Sequence, residues 1–240
     1  NVMQTIKLLT VMMLCFVCNT TYSQNNTISQ NYTYKDGDYS GIGKWYMGRE
    51  IAYVMGYQGI GWLERPEREA EENSTKLIKN LDIQSDDAIA DIGAGSGYHV
   101  FKMAPLVKKG KIYAVDIQQE MLDAITIENK KQQLKNIVLV KGSEQSTNLP
   151  ENSIDKILMV DVYHEFNFPV EMLTSMKKAL KKEGKIYLIE YRGEDDTVPM
   201  KRLHKMTEKQ AVKEFEASGF KLLKNISNLP WQHCMVFVKS

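Results

Sequence analysis

Asp91, Gly93, Gly95 and Gly97 stand at alternate positions in Ile89-Ala90-Asp91-Ile92-Gly93-Ala94-Gly95-Ser96-Gly97-Tyr98, directly after a short apolar run. Glycines so spaced let backbone amides close on a ligand in conformations that a Cβ would forbid. Asp91 can receive a cationic group there, directly or through water, with Ala94 between the first two amides. About 20 residues further on, Asp116 ends the apolar run Ile112 to Val115, with Ile117 beside it. An acid at that place can accept from both hydroxyls of a ribose. The dinucleotide fingerprint G-x-G-x-x-G needs its third glycine at position 98, where this chain has Tyr98, which argues against a nicotinamide cofactor. An ordinary tight turn with an acidic helix cap, and a solvated acid at a strand end, are the plain alternatives.

A second group lies in Val160-Asp161-Val162-Tyr163-His164-Glu165-Phe166. It follows an apolar run, and in an open α/β sheet ligands bind outside the carboxyl ends of the strands. His164 is the candidate general base, because an unperturbed imidazole titrates near neutrality. Glu165 and Asp161 flank it. The alternative for His164 is a helix-start residue with a structural hydrogen bond. Further polar residues stand at Glu190-Tyr191-Arg192, His204-Lys205-Met206 and Gln232-His233. Three histidines with Glu165 and Glu190 permit a metal, but no local spacing such as H-E-x-x-H supports one, so none is expected. Upstream, Tyr46, Arg49, Trp62 and Arg65 supply types suited to anchoring a small or amphipathic molecule, or to packing a helical cap.

The elements that must position these groups alternate. Strand candidates are Ala88–Asp91, Lys111–Asp116, Ile137–Val140, Ile154–Val160, Lys185–Tyr191, Phe220–Ile226 and His233–Val238. Helix candidates between them are Tyr98–Val107, Gln118–Gln133, Val170–Lys181 and Glu208–Ser218. Strand-helix repeats imply a mostly parallel sheet covered by helices on both faces. The turn at Asn228-Leu229-Pro230 is too short for a crossover, so the last two strands should pair antiparallel. Gln24 to Lys44 lacks apolar periodicity and reads as a flexible linker. Residues 45–82 read as a helical cap, including a helix from Pro66 to about Leu81 with Glu early and Lys late. Residues 83–240 form the ligand-binding domain.

D-x-G-x-G-x-G after a strand, an acid ending the next strand, and a seven-stranded sheet with the last strand reversed resemble the class I S-adenosylmethionine (SAM)-dependent methyltransferases. The likeness extends from Trp45 to the C-terminus. It implies a Rossmann-like α/β fold, SAM as cofactor, and SN2 transfer of a methyl group to a small-molecule or lipid-like acceptor whose atom stays open. It also implies that Asp161 lies near the methyl donor. In such enzymes a G-D-A-like segment holds the adenine; here Gly142 is followed by Ser143, so Glu144 or Gln145 takes that place. The signature Asn/Asp-Pro-Pro-Tyr of DNA-base and glutamine methylation is missing. The acceptor contacts implied are Tyr46, Arg49, Trp62, Arg65, Arg192, His204 and His233.

Bulk properties bound the partners. In 240 residues, 25% are charged and the net charge is +1, so there is no basic footprint for nucleic acid. Lys7, the apolar run Leu8 to Val17 and Ser23 resemble a secretory signal peptide over residues 1–23, implying export, with an uncleaved anchor as the alternative. That run is short of the ~20 residues that span a bilayer. Without the leader Cys234 is the one cysteine, which excludes an internal disulfide. A non-catalytic exported module keeping the cofactor fold is the rival reading.

Overall fold

The computed structural model describes residues 31–240; the expected leader, with Cys15 and Cys18, lies outside the described residues. β4 (Ala88–Ile92) is apolar on both faces except for Asp91, the pattern of a strand covered by helices on either side. Beside it run β5 (Lys111–Asp116) and β6 (Ile137–Lys141) on one flank, and β7 (Ile154–Val160) and β8 (Leu180–Arg192) on the other. β10 (Phe220–Asn225) and β11 (Gln232–Lys239) extend the β8 side, giving the order β10-β11-β8-β7-β4-β5-β6, with a two-residue strand β9 (Lys205–Met206) also paired to β8. Pairings from β6 to β8 are parallel, while β11 is antiparallel to both β8 and β10. The expected α/β architecture is therefore present. β9 is an addition that no sequence pattern announced.

Two cores lie on opposite faces of the sheet. On one, Ala90, Ile92, Ile157 and Leu188 pack with α6 (Pro169–Ala179) and α7 (Glu208–Ala217) through Met172, Leu173, Met176 and Phe215. On the other, Ile89, Ile112, Leu158 and Ile189 pack with α3 (Ser74–Asn80), α4 (Tyr98–Met103) and α5 (Gln119–Gln132) through Leu77, Val100 and Ile125. β4 is the point where chain order reverses, with its successor β5 on one side and β7 on the other. The crevice at the carboxyl ends of β4 and β7 is where such a sheet receives ligands.

The N-terminal part differs from its sequence reading. The described portion of the expected linker contains β1 (Tyr32–Tyr34) and most of β2 (Gly41–Tyr46), which pair with β3 (Arg49–Ala52) in a small antiparallel sheet. Its order comes from contacts far along the chain, which local periodicity does not reveal. The Tyr32 hydroxyl donates to Glu171 Oε2 at 2.5 Å, and Lys44 Nζ donates to the Asn167 carbonyl at 2.6 Å. The buried Glu50 carboxylate takes the Asp38 and Gly43 amides. The expected helix over 66–81 is interrupted. Asn73, at φ +52°, ends α2 (Arg68–Glu72) and caps α3, its Oδ1 accepting from Lys76 N at 3.0 Å. A turn of helix, α1 (Ile60–Leu63), precedes them.

Candidate active site

β4 delivers the chain into the glycine turn. Gly93, Gly95 and Gly97 take φ of +74°, +55° and +85°, values that L side chains rarely adopt. A Cβ at Gly93 would lie 2.5 Å from Val162 Cγ2, and one at Gly95 2.5 Å from Leu63 Cδ1. The amides of Gly93 and Ala94 donate to the Val115 carbonyl at 2.8 and 3.0 Å, welding the turn to β5. Asp116, at the end of that strand, accepts from Gly95 N (2.9 Å) and Gln118 N (2.8 Å). Burial raises its pKa, with these backbone donors opposing. Asp91 is buried and its Oδ2 has no partner. Burial, with the nearby Asp116 adding and Arg68 opposing, pushes its carboxyl up to about 7.

One cavity of about 640 Å³ joins this turn to the group after β7. Gly93, Gly95, Asp116, Ile117 and Glu144 line it on one side, and Asp161, His164, Glu165 and His204 on the other. Ile92, Val115, Met121, Val162, Phe166 and Met172 give it an apolar floor, while Tyr53 to Met55, Trp62, Leu63 and Arg65 form a roof. Gln118 ties that roof down, with Nε2 donating to Met55 O at 2.9 Å and Oε1 accepting from Tyr57 N at 2.8 Å. Ser96 in the glycine turn donates to Glu64.

The histidine end is made of side chains from separate elements. Asp161 follows β7 at φ +51°, a strained value for a non-glycine residue of the kind concentrated at functional sites. His164 lies in the 3₁₀ turn Tyr163–Glu165 and is 1% exposed. Its Nδ1 meets Glu190 Oε2 at 2.6 Å, its Nε2 meets His204 Nδ1 at 3.1 Å, and Glu165 Oε1 is 3.9 Å from Nε2. With Nδ1–H held by the carboxylate, Nε2 carries a lone pair. Burial alone lowers the His164 pKa, but Glu190 outweighs it and the net shift is upward. Burial pushes Glu165 up to about 7 and, with His164, takes His204 down to about 4. Burial, then Glu72 and Glu190, hold Asp161 well above the carboxylate range. Gln232 Nε2 donates to Asp161 Oδ2 at 2.6 Å, while Asp161 Oδ1 and Gln232 Oε1 are left unpartnered.

Several expected contacts are not in the cavity lining. Ala94 packs in the core, and Gly97 opens α4 with Phe101 and Ile125 where a side chain would go. Gln145 is exposed, so of the adenine pair Glu144 alone faces the cavity. Tyr46 is buried against Tyr32. Arg49 is consumed by Glu214 (2.7 and 2.9 Å) and by the His164 carbonyl (3.1 Å), so it clamps the histidine turn and is not free for an acceptor. Arg192 donates to the carbonyls of Leu229, Pro230 and Gln232, pinning the turn before β11. His233 spends both ring nitrogens, on Asn225 and Glu194. Arg192 and His233 were polar residues at the correct end of the sheet that found structural partners. Conversely, Glu72 was not foreseen. It lines the cavity, pairs with Arg68 (2.8 Å) and Arg65 (2.6 Å), and accepts from Tyr191 OH at 2.8 Å. The i,i+4 spacing of Arg68 and Glu72 was readable as an ion pair. Its burial was not.

Residues 83–233 match the family model described as a methyltransferase domain. The chain belongs to that family. It is a SAM-dependent methyltransferase, and its fold is that of the class I superfamily. It is similar to the uncharacterized methyltransferase YdaC of Bacillus subtilis (strain 168), 29% identical over 154 residues, covering 63% of this chain and 82% of that protein. In fold it is similar to a SAM-dependent methyltransferase from Aquifex aeolicus, with a TM-score of 0.72 at 23% identity, covering 77% of this chain and 98% of that one. The [4+2]-cyclase SpnF shares the fold at a TM-score of 0.57 and 16% identity, over 64% of this chain and 58% of its own. The methyltransferase carries features that fit the cofactor: a glycine cradle that a Cβ would fill, and an unpartnered buried carboxylate oxygen on Asp91 suited to an ammonium group.

Proposed function

We propose that this methyltransferase modifies a small-molecule or lipid-like acceptor held between the glycine turn and His164. The observation that carries the reading is continuity: the Gly93–Gly95 turn, Asp116 and His164 line one cavity with an apolar floor. Asp91, Gly93, Gly95 and Asp116 would hold SAM, with Ile117, Glu144 and Asp161 beside them. When bound, SAM supplies an electrophilic sulfonium methyl group.

The chain's own work is placement. Asp116 is already oriented by two backbone donors, so it meets ribose hydroxyls without rearrangement. Glu190 fixes the His164 ring, and its Nε2, which meets His204 Nδ1 at 3.1 Å, would exchange that partner for a hydroxyl, thiol or amine of the acceptor. The apolar floor and the Trp62 roof take the body of the acceptor and keep water out. Holding a nucleophile at attack distance can supply about 7–11 kcal/mol of the barrier reduction.

Calorimetric titration with SAM, S-adenosylhomocysteine and NADH tests the donor side, followed by a screen of acceptors with labelled SAM. The two sulfur nucleotides should bind and NADH should not. Unchanged SAM affinity in Asp116→Ala would remove that residue from the site. We further propose export through residues 1–23; recovery of the chain only from the cytoplasmic fraction would overturn it.

A further inference from the structure

We propose that His164, His204 and Glu165 form a binding site for one divalent transition-metal ion of the zinc type at the acceptor end of the cavity. The three residues come from two turns far apart in sequence, yet His164 Nε2, His204 Nδ1 and a Glu165 carboxylate oxygen lie within 4.8 Å of one another. Zinc–nitrogen bonds of ~2.0–2.1 Å place neighbouring ligand nitrogens roughly 3.3 Å apart. The two imidazole nitrogens are already 3.1 Å apart, so an ion enters by replacing their shared proton, with Glu165 closing in from 3.9 Å.

The surroundings have the form of a metal site. Histidine ligands usually donate their other ring N–H to a carboxylate, which fixes the ring and the tautomer. Glu190 does this for His164 at 2.6 Å. Ligating carboxylates are in turn hydrogen-bonded, and Glu165 Oε1 takes the Met55 amide at 3.1 Å. His204 is held in place because β9, directly after it, pairs with β8 at Tyr191↔Lys205. Charge also balances. Two neutral imidazoles, Glu165 and Glu190 offer two negative charges to a dication.

Two histidines and one carboxylate leave coordination positions open. All three ligands line the cavity, so those positions are available to an oxygen or sulfur donor of a bound small molecule. His233 provides the contrast: it also has a glutamate at 2.8 Å, but its other ring nitrogen meets Asn225, not a second histidine, and it is outside the cavity lining.

This inference stands apart from the methyl-transfer reading, and its test does not need turnover. The full chain, free of any affinity tag, is titrated with Zn²⁺ by calorimetry and with Co²⁺ by visible absorption. One equivalent should bind at micromolar affinity or tighter, and Co²⁺ should give the bands of a four- or five-coordinate ion. His204→Ala should weaken Zn²⁺ at least about 100-fold and abolish those bands, Glu190→Gln should weaken it roughly 10–100-fold, and His233→Ala should leave it unchanged. SAM binding measured on each variant reports an intact fold; if His204→Ala loses it, the isosteric Glu165→Gln decides. No saturable binding, or binding that survives His204→Ala or Glu165→Gln unaltered, overturns the site.

Discussion

The two walls of the cavity are built by different means. The donor wall is largely backbone: Gly93, Gly95 and Asp116 lie within 24 consecutive positions, in the turn after β4 and at the end of the adjacent parallel strand β5, and are joined by hydrogen bonds from backbone amides to the Val115 carbonyl and the Asp116 carboxylate. The acceptor wall is side chain: Asp161, His164 and His204 line it, with Glu190 and Gln232 holding them from behind, and they come from β7, β8, β11 and the turns around them. Main-chain geometry tolerates much sequence change provided the glycines stay. A wall of buried ionisable groups does not, because each removal strands a partner. The donor wall therefore rests on a few backbone positions, while the acceptor wall stands or falls as a network.

Arg49→Ala should break the contrast most severely. It strands Glu214, a fully buried partner, and frees the His164 carbonyl, at a cost of about 3–5 kcal/mol by urea denaturation. SAM affinity in the folded fraction should be retained; its loss would show that the walls are not independent. Gly95→Val attacks the opposite wall. With φ at +55° and Leu63 in the way, SAM affinity should fall roughly 100-fold by calorimetry, while Zn²⁺ uptake persists.

The third effect depends on pH. The folded-state pKa of Asp91, about 7, exceeds the ordinary 3.8, so between these values the folded chain holds a proton that the unfolded chain has released. Stability from this group is therefore fully present below about pH 3.8 and lost progressively as pH rises to about 7, by at most about 4 kcal/mol. Asp91→Asn should raise the Tm of the ligand-free protein most at pH 8, less at pH 5 and not at all below about pH 3.8, and should weaken SAM. A Tm that does not respond at pH 8 would refute the assignment of an uncompensated carboxylate. The smallest effect belongs to His233→Ala, which should cost about 1 kcal/mol and leave kcat unchanged. A fall in kcat would bring His233 back to the acceptor end.

The same division decides what could be read from the sequence. Gly93, Gly95 and Asp116 were legible because a strand, a turn of positive φ and a second strand impose a local spacing. His164 and Asp161 were legible as the polar end of an apolar strand. Glu190 and His204 were legible as distal polar residues but not as the partners of His164, which depends on sheet order, and Glu72 was hidden by the broken helix at Asn73. The ordered hairpin over 32–52 was hidden for a related reason: Tyr32, Lys44 and Glu50 are fixed by contacts with Glu171, Asn167 and two backbone amides, none of which leaves a periodic pattern. Arg192 and His233 show the converse error, since a polar residue at the correct sheet edge still needs an unspent atom facing the ligand.

The roof has a consequence for solvent access. Gln118, just after the acid that ends β5, and Ser96 in the glycine turn fasten the roof at Met55, Tyr57 and Glu64 by hydrogen bonds at or near the surface. Each is worth about 1 kcal/mol net, whereas the Met55 amide on Glu165 and Arg65 on the buried Glu72 hold the same roof from its inner side. Donor and acceptor ends lie in one chamber beneath this roof. A parting of the roof that admits an acceptor therefore uncovers the cofactor end as well, so the two ends are exposed to solvent together.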